Sequence, residues 1–160
     1  MHNTRHDLSS VTREQLVKVL NARLVDTIDL AMQAKQAHWN VKGPNFIALH
    51  ELFDEVAARA AEHVDALAER ITALGGTALG TSRAVAAGSS LKAYPEGIHA
   101  GAEHLAALAD ACAAAAKACR EASEVADDLD DEVTNDLLIG ITAALDKDLW
   151  LVEAHLQSNN

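Results

Sequence analysis

Leu16, Val19, Leu20, Leu24, Thr27, Ile28, Ala31 and Ala34 recur at intervals of three and four along the chain. That spacing gathers side chains on one face of an α-helix. Thr12 and Gln15 stand ahead of the stripe at capping-box spacing, so the pattern predicts a helix from about 12 to 38. The segment 40–45 interrupts it: Gly43-Pro44 stops a helix and Asn45 is suited to cap the next. A second helix is predicted over about 46–74, closed by Gly75-Gly76, a pair fitted to a left-handed C-terminal cap. Two long helices joined by so short a loop should pack antiparallel. After a long connection with one short helix near 81–88, a third helix is predicted at about 97–125. A fourth, at about 130–157, carries Val133, Leu137, Leu138, Ile141, Leu145, Leu149 and Val152 at core spacing. The expected fold class is all-α: a ferritin-like four-helix bundle over 12–157, with a long crossover between the second and third helices and a flexible N-terminal arm at 1–11.

Composition agrees with this pattern. The 160 residues suit a single domain, 49% are hydrophobic, and Phe, Trp and Tyr together make up only 3%. Abundant alanine with few aromatics favours packed helices over a β-sandwich. Cys112 and Cys119 lie seven apart on an Ala-rich helix, too far to bridge, and read as small buried residues of a reducing compartment. The first ten residues lack an apolar core and no run of about 18 apolar residues occurs, so a cytoplasmic, soluble protein without a membrane partner is expected.

Chemistry concentrates on the second helix. Taking His50 as zero on a helical wheel, Asp54 falls at about 40°, Asp65 at about 60° and Glu69 at about 100°, all in one stripe. Ala57, Ala58 and Ala61 lie between the two pairs, leaving room for a close neighbour. Asp54 and Asp65 are about 16 Å apart along the axis, too far to share a metal within one helix. A two-fold axis near residues 59 and 60 removes the difficulty by placing His50 and Asp54 of one copy opposite Asp65 and Glu69 of another. His38, at the end of the first helix, then adds a ligand on the His50 side. Imidazole with carboxylate and no thiolate suits Fe(II), Mn(II) or Zn(II). The competing reading is an ordinary solvated face. The like charges of Asp65 and Glu69, one turn apart, weigh against it, because a cation would relieve them. An intrachain di-iron centre would need Glu-x-x-His on two helices, and only Glu96 and His99 show that spacing.

The segments KQAHWNVKGPNFIALHELFD (35–54), DALAER (65–70), Gly75-Gly76, YPEGIH (94–99) and LDKDLWLVE (145–153) together resemble the Dps family of the ferritin-like superfamily, over about 12–157. The resemblance implies a hollow dodecamer built from two-fold dimers. It further implies that the shell oxidises Fe(II) to Fe(III) at ferroxidase centres between subunits, preferentially with hydrogen peroxide, and stores ferric mineral. His38, His50 and Asp54 would come from one subunit, and Asp65 and Glu69 from its partner. Zn(II) or Mn(II) would compete for the same ligands. Trp39 matches the family's tryptophan beside the centre, as a filler of the dimer seam or as a redox group. His63 is expected to pack or to face solvent.

Charge enters last. The net charge is −11, and residues 121–136 hold eight acidic side chains and no basic ones. Solvation and the macrodipole of the last helix account for part of this. By resemblance, Glu132 and Asp136, with Asp128 and Asp131 at the mouth, would form a three-fold pore that concentrates Fe(II). The arm through Thr12 holds Arg5 against Asp7 and no lysine, with His2 and His6 able to charge near pH 6. Counterion release on DNA needs several clustered cations, so DNA binding through Arg5 is weakly founded. Two other classes compete with an iron-oxidising shell: a DNA-condensing nucleoid protein with secondary iron chemistry, and an interaction-only bundle.

Overall fold

The computed structural model describes residues 1–157. It has five helices: α1 (Ser10–Asn40), α2 (Phe46–Ala73), α3 (Ser82–Gly88), α4 (Gly101–Asp128) and α5 (Glu132–Glu153). Among the described residues there is no strand, only an isolated parallel bridge between Lys42 and Ala100.

Two helix pairs, α1 with α2 and α4 with α5, pack across α1 and α4. The first pair is antiparallel: Arg13 near the start of α1 donates to Leu74 O just past α2 (2.9 Å), while His38 and His50 meet at the opposite end. Leu16, Leu20, Leu24, Phe53, Leu67, Leu108, Leu138 and Leu145 fill the interior. Opposite them α4 supplies Ala111, Ala115, Ala122 and both cysteines, small residues that let helices approach. Both thiols are free and buried, and burial pushes Cys112 up to about 12 and Cys119 to about 11.

The crossover is tied to α1 by side chains. Asp26 accepts from Ser90 N (2.6 Å), Asp29 from Ser89 Oγ (2.6 Å), and Gln33 Nε2 donates to Lys92 O (3.1 Å). This carries the chain from the α2 terminus back along α1 before α4 begins. Within the bundle, Arg59 of α2 donates to Asp148 of α5 (2.7 Å), a carboxylate 1% exposed. Burial raises the Asp148 carboxyl above its ordinary value despite that partner.

Three local expectations are corrected. The cap of α1 is Ser9, whose hydroxyl accepts from Thr12 N (3.1 Å), so Thr12 receives the cap instead of providing it. Asn45 occupies the α2 cap position without a side-chain cap bond. The third long helix starts at Gly101, not 97, because Gly97 takes φ 84 and Lys42 N bonds His99 O, holding the preceding residues extended. Glu103 then reaches back to Ala100 N (3.1 Å). Glu96 and His99 therefore lie outside any helix.

The close of α2 follows its sequence signal. Gly75 adopts φ 82; its N–H bonds Thr72 O and the Gly76 N–H bonds Ile71 O, both at 2.9 Å. This is the paired Schellman arrangement, and it satisfies carbonyls that the helix leaves open.

Candidate metal centre

The α1 end and α2 start bring His38 and His50 together. Their rings stack with centroids 3.7 Å apart and planes at 21°. His38 Nδ1 bonds His50 O (2.7 Å), and His50 Nδ1 bonds His38 O (2.8 Å). A carbonyl only accepts, so each Nδ1 donates, and in the neutral imidazole this tautomer leaves the lone pair on Nε2. Such backbone bonds fix the tautomer and aim an imidazole for metal ligation. Phe46 tilts against His50 at 5.1 Å and limits the ring further.

Asp54, one turn along α2, is exposed and pairs with Lys35 Nζ of α1 at 2.5 Å. The Lys35 hydrogen bond holds its carboxyl below the usual carboxylate range. The same ammonium lies 5.8 Å from the centroid of Trp39, itself 66% exposed. Lys35 was not foreseen: nothing in its spacing shows that it reaches across to α2. The Asp54 carboxylate is therefore already paired with a cation of its own chain.

Asp65 and Glu69 are exposed farther along α2, separated from Asp54 by eleven or more residues, at least about 16 Å of helix. Among the described residues, no three His, Cys, Asp or Glu side chains of one chain stand close enough together to hold a metal. His38, His50 and Asp54 lie toward the start of α2, and Asp65 and Glu69 toward its end. Between them runs an apolar groove of about 720 Å³ on the open side of α1 and α2, walled by Met32, Trp39, Asp54, Ala58, Ala61 and Tyr94. Met32 and Trp39 on this wall are 58% and 66% exposed.

His63 is half-buried, its Nε2 without a hydrogen-bond partner, and burial lowers its pKa. It lies on the side of α2 that faces Asp148.

The acidic segment divides. Asp128, Glu132 and Asp136 are exposed at the α4–α5 junction. Asp131 is 5% exposed, caps α5 through Thr134 N (3.3 Å) and accepts two bonds from Arg70 Nη2 (2.9 and 2.8 Å). Both its oxygens are engaged inside the fold, which removes it from the carboxylates facing solvent. At the other terminus His2 N bonds Gly75 O (2.6 Å), His6 sits 3.3 Å from Asp7, and Arg5 is exposed.

A helical bundle with a long crossover, carrying histidines and carboxylates on its second helix, defines a ferritin-like protein. The family model described as ferritin-like domain matches residues 17–159. A protein of Agrobacterium fabrum, called DNA protection during starvation protein, is 43% identical over 99% of this chain and 98% of its own length. Among solved structures, Mycobacterium smegmatis Dps in its tetragonal form has a TM-score of 0.93 at 34% identity, covering 99% of this chain and 95% of that one. DpsA14 from Streptomyces coelicolor has a TM-score of 0.92 at 38% identity, covering 97% and 92%. The chain belongs to the Dps proteins of the ferritin-like superfamily.

Proposed function

We propose that this chain is the subunit of a dodecameric mini-ferritin, a ferroxidase that oxidises Fe(II), preferentially with hydrogen peroxide, and stores the ferric product in a hollow shell. The observation that carries this reading is the reciprocal lock of His38 and His50, each Nδ1 on the other's carbonyl, with Asp54 one turn from His50 on the same helix. The ligand set is His38, His50 and Asp54 of one subunit with Asp65 and Glu69 of its two-fold partner. The exposed groove along α1 and α2 is the face such a partner covers.

Iron is the substrate. Imidazole nitrogens and carboxylate oxygens suit Fe(II), with selection over tighter-binding metals set by geometry and availability, and the carboxylates stabilise the greater charge of Fe(III). Zn(II) and Mn(II) suit the same ligands and act as competitors. Two ferrous ions supply the two electrons that reduce one peroxide to two waters with uptake of two protons. Pairing the electrons suppresses hydroxyl radical and so protects DNA, in keeping with what the Agrobacterium relative is called. Glu132, Asp136 and Asp128 repeat around a three-fold axis as an entry path for Fe(II). The protein acts in the cytoplasm; among the described residues no helix is long and apolar enough to cross a membrane.

A second reading, a DNA-condensing nucleoid protein with secondary iron chemistry, has less support. Arg5 is the one Lys or Arg through Thr12, and the chain carries −11 overall. The deciding experiment adds peroxide to the purified shell with Fe(II) under anaerobic conditions and follows ferric absorbance. Oxidation should outpace both the dioxygen reaction and a protein-free control; a rate equal to the control ends the proposal.

A further inference from the structure

Tyr94, the one tyrosine of the chain, leaves the crossover to meet α4. Its hydroxyl lies 2.6 Å from His104 Nδ1, shorter than most hydrogen bonds to nitrogen. The two rings are nearly coplanar in orientation, with 19° between planes and centroids 6.1 Å apart. His104 is 1% exposed and leans on Phe53. Burial lowers the imidazole pKa and raises the phenol, so the resting pair is a neutral Tyr94 O–H donating to a neutral His104 Nδ1. His104 Nε2 has no partner meeting hydrogen-bond geometry, yet the backbone of Asn40 and Ile98 stands near enough to favour a charged ring. Tyr94 is also among the residues that wall the groove holding Trp39 and Asp54.

A phenol surrenders an electron readily only when a base accepts its proton in the same event, since the protonated radical cation is a very strong acid. We propose that Tyr94 and His104 form a proton-coupled redox relay that captures one-electron oxidants reaching the α1–α2 groove. The oxidant is hydroxyl radical, formed when a single Fe(II) meets peroxide; in this the proposal rests on the iron-and-peroxide reading above. Hydroxyl radical takes one electron from Tyr94 and becomes hydroxide. The Oη–H bond breaks, an N–H bond forms at His104 Nδ1, and a neutral tyrosyl radical faces a protonated imidazole. A second Fe(II) then gives one electron to the tyrosyl oxygen and becomes Fe(III), while the proton returns from Nδ1 to Oη. The sealed position of His104 keeps that proton available for the return. The pair thus completes with two ferrous ions a reaction that has begun with one.

The test separates the relay from the iron chemistry. The iron-free shell is oxidised with radiolytic azide radical, frozen and measured by electron paramagnetic resonance. A tyrosyl signal is expected that narrows with ring-deuterated tyrosine and vanishes in Tyr94→Phe. In heavy water it should show one exchangeable deuteron hydrogen-bonded to the radical oxygen, and His104→Gln should lower the yield at least about tenfold. Oxidation confined to Trp39 and Trp150, or a tyrosyl without that deuteron, overturns the proposal; the deuteron decides in the wild type even where His104→Gln fails to assemble. With Fe(II) and peroxide, Tyr94→Phe should release more spin-trapped hydroxyl radical than the wild type, and equal release also overturns it. A shell that yields the tyrosyl signal but oxidises no iron defeats the ferroxidase reading alone.

Discussion

Lys35 Nζ rests 2.5 Å from Asp54 Oδ1, so α1 places a cation on a carboxylate assigned to metal. Metal binding must displace this ammonium. Lys35→Met should therefore tighten binding of a redox-inert divalent ion such as Zn(II) on the order of threefold, a modest factor because the pair is solvent-screened. Isothermal titration of the assembled protein measures it, and unchanged or weaker affinity contradicts the competition.

Replacing His38 and His50 together by alanine should lower the rate of peroxide-driven Fe(II) oxidation by more than about 100-fold, since even outer partners of metal ligands are worth 10- to 100-fold. Sedimentation should show the shell still assembled, because both histidines are only half-buried. Unaltered stopped-flow kinetics would remove both residues from the centre.

Asp131 links α2 to α5. Burial raises its carboxyl pKa, but the Thr134 hydrogen bond and the Arg70 pair outweigh this and leave it below the ordinary 3.8. A native value below the unfolded one adds stability that is present above 3.8 and disappears as pH falls through the native value. Asp131→Asn should destabilise the fold by about 2–3 kcal/mol near neutral pH, or roughly 5–10 °C in Tm. Thermal scans should show that deficit shrinking in acid; a deficit constant with pH speaks against the charge pair.

Glu132→Gln with Asp136→Asn should slow iron uptake about tenfold or more at limiting Fe(II) and low salt, and the gap should close as ionic strength rises. Equal uptake by both proteins under these conditions removes the pore.

Gel retardation across pH 6 to 8 at low salt addresses DNA. Weak retardation at most is the expected result, and Arg5→Ala should diminish it further. Strong binding at pH 8 would restore the nucleoid reading.

The sequence by itself determined the four long helices, the stop at Gly43-Pro44, the left-handed close at Gly75-Gly76 and the stripe of His50, Asp54, Asp65 and Glu69. Each follows from short-range rules: helical periodicity, glycine's access to positive φ and the 100° turn per residue. Helix starts were less legible, since Ser9 and Ala100 became caps through bonds and extended backbone that spacing does not show. Only the tertiary structure decided the reciprocal His38–His50 lock, the Lys35 cation on Asp54 and the inward turn of Asp131 toward Arg70. These depend on which side chains of separate helices come within about 3 Å of one another. That is set by helix packing and crossover length, quantities no local pattern contains.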